Sequence, residues 1–494
     1  MLYDGCVPKP RILLRCLATF TALSLGSLTL LAHAQTLAHP GWAGNGVTVD
    51  PWWKRAVYYR IDPQRFQATG DATTGDLAGI VQRIGYIQSL GVDAIIIDTA
   101  ALPSPDGFDD LTRAAAGSHI RVLAALGAPA SQSPADDAQY LALARMWLNQ
   151  GAAGVYVPTA QLTKVDGAGH IANLLHALRT LTNSSPGERV LLAEAAPASD
   201  TGGQDQDLVA ALARETQLTT SLPLHADKPD APSLRTQLQH AEALPNPLLH
   251  AARLQDATLG RTVAAMLLAS RAAVLLDAGQ ELGLIADTAP LMQWTPRNIT
   301  TSPAPPPATV ASTPADTAPS FSSFHEFVPP PDTAGFPPLR MPEIIVTDNP
   351  RTLHTDPNTL PGFTNGELDA SLSASNGATN NVAAESEDAT SLLNFYRHLI
   401  QLHHDNASLR NGQQTLLDHD ADDALVWVRS APAGTLTVAN VVVVCNLSAR
   451  PFTLDFKQLH LRSGTSRMLL GTTPEHLDNA LAIAPFAVYI GEVR

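Results

Sequence analysis

The sequence predicts an α/β chain: a (β/α)8 barrel of the TIM type followed by a C-terminal antiparallel β-sandwich domain. Three observations lead there. Between residues 56 and 277 short apolar runs alternate with longer stretches at helical spacing, and repeated alternation of this kind makes a parallel sheet. The alternation yields eight strand candidates over about 240 residues, the size of a closed barrel. Beyond residue 424 the helical spacing disappears and short strands dominate, as in a small antiparallel β domain.

The elements follow in order. Ala56–Ile61 reads as the first strand and Leu77–Leu90 as a helix. Val92–Asp98 (VDAIIID) is a continuous apolar run, as strands buried on both faces prefer. Phe108–Gly117 is a helix and Ile120–Leu126 the third strand; Asp137–Gln150 is a helix that stops at Gly151, and Ala153–Pro158 the fourth strand. Ile171–Thr182 and Arg189–Glu194 (RVLLAE) make the next helix and strand, followed by helical Leu208–Thr216 and strand Leu218–Leu222. Leu234–Ala243, Pro247–His250, Gly260–Ser270 and Ala272–Asp277 (AAVLLD) complete the series.

The composition then changes. Residues 301–342 hold 12 of the 38 prolines, which excludes helix and central strand and predicts an extended or disordered excursion. A polar stretch, Gly362–Glu387, follows, so the excursion is assigned residues 301–388. Ser391–His404 is a helix with Leu392, Tyr396, Leu399, Ile400 and His403 on one face, and residues 389–407 are assigned to the last barrel helix. Strands at Ala424–Val428, Thr437–Cys445, Phe452–Phe456 and Phe486–Ile490 fall in a β domain at 408–494.

The 494 residues suit roughly two to three domains. A net charge of −15, with 45% apolar and 16% charged residues, supplies a large core and lacks the basic face a nucleic-acid binder needs. Three cysteines exclude a disulfide scaffold. Lys9, Arg11 and Arg15 precede the uncharged stretch Cys16–Leu31, and Ala32-His33-Ala34 supplies a small-residue cleavage site. Residues 1–34 are therefore expected to be a signal peptide. Cleavage leaves 460 residues with 28 basic and 45 acidic groups, net −17. No later segment is long and apolar enough to span a bilayer. The mature protein is expected to be exported, periplasmic or extracellular, with no membrane association.

Several segments resemble glycoside hydrolase family 13, the α-amylase family. Trp53–Tyr59 (WKRAVYY), Gly75–Ile80 (GDLAGI) and Leu90–Ile95 (LGVDAI) look like its opening; Ala278–Gly283 (AGQELG) and Pro290–Trp294 (PLMQW) look like the segments after its eighth strand. Gly362–Thr364 (GFT) and Ser391–Arg397 (SLLNFYR) are similar to the approach to its last barrel helix. The ordered set is most similar to the oligo-α-glucosidase and trehalose synthase branch. The resemblance implies a barrel, residues 50–300, with a C-terminal β-sandwich. It places the Pro-rich run after strand eight, on the face where barrel active sites lie.

That family's retaining mechanism uses two carboxyl groups roughly 5–5.5 Å apart, and a third carboxylate holds the sugar. Glu194 stands where the resemblance puts the general acid. The nucleophile position is Pro158, which has no nucleophilic atom, and the neighbouring arginine position is Tyr156. The strand-seven carboxylate is missing: Leu244–Leu249 supplies Asn246 but no following His-Asp, and His250 and Arg253 read as surface or packing residues. In the cation-binding loop only Asp76 keeps a ligand oxygen, so no metal and no cofactor is expected. The domain usually inserted after strand three is absent, since about ten residues separate Leu126 from Asp137. Candidate substitutes at strand ends are Asp98, Tyr156 and Asp277, with Asp98–Glu194 the best surviving pair and Tyr156 either a nucleophile or a residue filling the mouth.

The degenerate site leads to an expectation of a catalytically inactive family member related to α-glucoside metabolism. It would act as a glycan-binding or interaction scaffold, with an α-glucan, a maltooligosaccharide or a protein as partner. The alternative is an active α-glucosidase or transglycosidase using Glu194 with a relocated carboxylate or Tyr156. A non-carbohydrate function on a reused barrel is a third reading.

Overall fold

The computed structural model describes residues 50–69, 74–102, 104–127, 134–157, 168–194, 212–220, 230–243, 246–251, 259–284, 292–295, 380–417, 421–432, 438–457, 467–477 and 480–493. The expected signal peptide, the Pro-rich run and Pro158 lie outside them.

Eight parallel strands close into a barrel in sequence order: β1 (Val57–Ile61), β2 (Ala94–Asp98), β3 (Arg121–Ala125), β4 (Gly154–Val157), β5 (Val190–Glu194), β6 (Leu218–Thr220), β7 (Pro247–His250) and β8 (Ala273–Asp277). Closure comes from β1 pairing β8, with Arg60 opposite Asp277. The strands are short, nearly uncharged runs that bury both faces, which is why they were readable as continuous apolar stretches.

Helices cover the outside: α1 (Pro63–Phe66), α2 (Leu77–Gln82), α3 (Ile84–Leu90), α4 (Phe108–Gly117), α5 (Pro134–Asn149), α6 (Ala168–Ser184), α7 (Ala231–Ala243), α8 (Gly260–Leu268), α9 (Val382–Glu387), α10 (Leu392–Asp405) and α11 (Ala407–Asn411). The single helix expected over 77–90 is two, broken at Arg83. The cause is tertiary: Arg83 is buried, its Nε donates to Gln67 Oε1 at 2.9 Å, and its guanidinium stacks 4.2 Å from the Trp294 ring. Helix α9 is a second correction, since it falls inside the stretch read as the end of the excursion. Asn381 caps it, accepting from Ala384 N at 2.9 Å, and Ala383 N donates to Trp294 O at 3.1 Å. Residues 292–295 and 380–383 therefore run side by side.

The C-terminal domain has two antiparallel sheets. One, in the order β13-β16-β11-β10-β9, uses β9 (Gln413–Leu417), β10 (Ala424–Ser430), β11 (Asn440–Asn446), β13 (Arg467–Gly471) and β16 (Val488–Val493); the other, β12-β15-β14, uses β12 (Phe452–Asp455), β14 (Glu475–Leu477) and β15 (Ala480–Ile483). Val426, Val428, Val442, Val444, Leu454, Leu481 and Ile483 pack between them. Four strands were expected; β9, β13, β14 and β15 were not, because their short mixed sequences show no clean alternation.

The barrel interior has its own core, and strand alternation sets it. Ala56 and Tyr58 of the first strand, Ala94 and Ile96, Leu123 and Ala125, Tyr156, Val190 and Leu192, Leu218, Leu248, and Ala273 and Leu275 form one buried cluster. Trp52 and Trp53 close its lower end. The odd-phase residues, such as Tyr59, Ile95, Ile97, Val155, Leu191 and Val274, face the helices instead.

Candidate active site at the barrel mouth

Extending the inward series by one step along each strand leads out of the apolar plug. The next positions are Arg60 on β1, Asp98 on β2, Glu194 on β5, Thr220 on β6, His250 on β7 and Asp277 on β8. All stand at C-terminal strand ends, where barrel enzymes place their chemistry. β5 pairs Glu194 with Thr220; the Glu194 side chain lies outside the described residues.

Two ion pairs organise the described part of this layer. Arg60 Nε donates to Asp98 Oδ2 at 3.2 Å, with side-chain exposures of 29% and 26%. His250 Nε2 lies 2.8 Å from Asp277 Oδ2, with the histidine buried and the aspartate 36% exposed. Strands β2, β1, β8 and β7 are neighbours in that order, so the groups form a continuous band: carboxylate, guanidinium, carboxylate, imidazole. Arg60 also lies 6.0 Å from the centroid of the Tyr156 ring beneath it.

The two carboxylates sit in different electrostatic environments. Burial pushes Asp98 above the usual carboxylate range; Arg60 pulls it back, and Asp62 and Asp277 push it further up. Burial raises Asp277 too, but His250 and then Arg60 outweigh it and hold Asp277 below its ordinary value.

The sequence candidates are placed as follows. Asp98 and Asp277 belong to one band, with Arg60 between them. Tyr156 is fully buried in the apolar plug, the mouth-filling position of the two considered for it. The best pair read from sequence, Asp98–Glu194, is described on one side only, where the neighbour of Asp98 is Arg60. His250, read as a surface or packing residue, is 3% exposed and its Nε2 lies against Asp277 Oδ2, so of those two readings it is the buried one. Arg60 was not singled out at all. Counting inward positions from Ala56 and Tyr58 would have found it. Asp76, the one remnant of the metal loop, caps α2 by accepting from Gly79 N at 2.6 Å. Among the described residues no three His, Cys, Asp or Glu side chains gather as a metal site needs.

The conspicuous motifs elsewhere are structural. Glu281 of the AGQELG block is buried and accepts from Tyr59 Oη at 2.7 Å and Tyr86 Oη at 2.6 Å. His403 is buried between the carbonyls of Leu268 at 2.7 Å and Arg55 at 3.1 Å. Trp294 donates to Phe66 O at 3.0 Å.

Comparison with known proteins bears on this geometry. The alpha amylase catalytic-domain model matches residues 60–101, the stretch that carries Arg60 and Asp98. Trehalose-6-phosphate hydrolase of Escherichia coli K12 is 50% identical over 44 residues, 9% of this chain and 8% of that protein. Probable oligo-1,6-glucosidase 2 of Bacillus subtilis is 46% identical over 61 residues, 12% of this chain and 11% of that protein. The matched stretch thus spans about a tenth of these curated relatives. Among solved structures, the alpha-glucosyl transfer enzyme XgtA superposes with a TM-score of 0.60 at 18% identity, over 90% of this chain and 100% of its own. Isomaltulose synthase from Klebsiella sp. LX3 gives 0.59 at 14%, over 90% and 100%. The resemblance to α-amylase-family glucosidases therefore holds in sequence at the first two strands, and the fold is shared across nine-tenths of the chain.

Proposed function

We propose that this chain is an exported α-glucoside-binding barrel that has the fold of the α-amylase family without its covalent chemistry. The carrying observation is the mouth band, in which Asp98 is paired with Arg60 and Asp277 with His250. A sugar needs convergent acceptors and donors on a rigid wall, and Asp98, Arg60, Asp277 and His250 supply them from four adjacent strands. A retaining hydrolase also needs an accessible nucleophile. Pro158 cannot provide one, and Tyr156 is sealed in the plug. The ligand would be a short α-glucan or maltooligosaccharide, in keeping with the glucosidase and glucosyl-transfer names of its relatives. Export rests on the signal peptide expected at residues 1–34.

One observation favours a second reading, an active glucosidase with relocated carboxylates. Asp98 is pushed up and Asp277 down, and paired carboxyls with opposed shifts are what an acid and a nucleophile require. Assaying the mature protein on maltose, trehalose, sucrose and p-nitrophenyl α-glucoside decides between the two. No release by the wild type supports the binding role. Release that disappears in Asp98→Asn, Asp277→Asn or Glu194→Gln, with a bell-shaped pH profile, supports the enzyme.

A further inference from the structure

The turn between β15 and β16 breaks a backbone rule. Ala487 N donates to Ala484 O at 3.2 Å, closing a β-turn with Pro485 and Phe486 at its centre. Proline holds its own φ negative, whereas Phe486 has φ +52°. A proline followed by a residue with positive φ is the type II pattern, whose third position favours glycine or asparagine. This chain puts a phenylalanine there and leaves it 44% exposed. A bulky residue in the left-handed region is an outlier that points to a role for the side chain.

The surroundings fix the backbone of the turn. Asn446 is fully buried and its Nδ2 donates to Arg450 O at 2.7 Å, Ala484 O at 3.0 Å and Ile483 O at 3.2 Å. Its Oδ1 accepts from Ser448 N at 2.9 Å. Asn446 N donates to Ala487 O at 3.0 Å, and Phe486 N to Ser448 O at 3.2 Å. One asparagine thus locks the β11–β12 loop onto the turn. Arg450 is exposed on that loop.

We propose that this tip is a second sugar-binding platform, in which one hexopyranose of an α-glucan lies on the Phe486 ring. The electron-rich face of an aromatic ring attracts the slightly positive C–H face of a pyranose, and a preformed platform loses little entropy on binding. A single ring suits one sugar unit. It is too small for a stable protein interface, which takes roughly 800 Å² per partner. Among the described residues, the other exposed large hydrophobics of this domain, Met468 and Leu477, lie on β13 and β14. The inference rests on the reading of the chain as an α-glucan binder but uses none of the mouth residues.

Native gel electrophoresis of the full mature protein through amylopectin tests it. The wild type should be retarded, and Phe486→Ala and Phe486→Gly should each weaken retardation by about tenfold in apparent Kd, the worth of one aromatic stack. Glycine fits the turn better than phenylalanine, so Phe486→Gly should melt at or above the wild-type temperature, which separates loss of binding from loss of fold. Full retardation of Phe486→Gly overturns the platform. So does a wild type that binds maltotriose in solution yet runs freely through amylopectin, while the mouth reading survives. Phe486-dependent retardation without any maltotriose binding leaves the platform standing and removes the mouth reading.

Discussion

The two ends of the barrel interior are built from the same strands in the same alternation, yet they are closed by different chemistry. At the floor, Trp52 lies 6.2 Å from Tyr58 and 4.3 Å beneath the Arg121 guanidinium. Tyr58 Oη donates to Trp53 O at 3.2 Å, and Trp53 Nε1 to Glu188 at 3.2 Å. Charge at this end sits outside a lid of indoles. At the mouth, three inward positions, Arg60, Asp98 and Asp277, carry charged groups that are partly exposed. Burying ionised groups is costly even when they are paired, so stability alone would favour indoles or aliphatics at both ends. On the proposed reading, the asymmetry reserves the mouth for a ligand and leaves the floor to hold the barrel together.

Three changes break or sharpen that contrast. Tyr58→Ala empties the plug just above the floor and should cost about 3–5 kcal/mol, as large aromatic truncations in cores do. A thermal melt should fall by many degrees, while sugar affinity of the fraction still folded stays near wild type.

Glu385 asks whether charge on the shell side of the mouth behaves like charge in it. Its carboxylate accepts from Leu393 N at 3.0 Å, and burial, with Glu281 and Asp388 nearby, pushes it from 4.5 to about 7. A raised carboxyl stabilises the fold most below pH 4.5, and that contribution is lost as pH rises through about 7. Glu385→Gln should therefore melt higher than wild type at pH 8, by on the order of 2–3 kcal/mol, and converge with it near pH 5. Equal pH dependence in both proteins would show that Glu385 is not the titrating group.

Arg60→Lys has the smaller effect. It keeps the charge but loses the planar fork between Asp98 and Asp277, so binding should weaken by roughly three- to tenfold, or about 1 kcal/mol. Titration calorimetry with maltotriose reads it, and the melting temperature should barely move.

The same contrast explains what was legible in the sequence. The eight barrel strands were readable because parallel strands buried on both faces are written as unbroken apolar runs, of which AIIID and AVLLD are the clearest. Asp98 and Asp277 were legible because each ends such a run. Their partners were not: Arg60 contacts Asp98 across 38 positions and His250 meets Asp277 across 27, and no local pattern encodes a pairing between strands. The break at Arg83 depends on Gln67 and Trp294, the latter more than 200 residues away, and the strands missed in the C-terminal domain are too short and mixed to show a period. The expectation of catalytic inactivity rests on the nucleophile, third carboxylate, cation loop and inserted domain all missing from the sequence, and Pro158 lies outside the described residues.

The most direct test of the account measures binding and turnover in one sample, on the wild type and on Asp277→Asn, with maltotriose as the probe. The account predicts saturable heat for the wild type, no glucose release over hours, and at least tenfold weaker binding in Asp277→Asn, equivalent to about 1.4 kcal/mol. Glucose release by the wild type that Asp277→Asn abolishes would contradict it, and would make the mouth band a working pair of carboxylates rather than a retained binding wall.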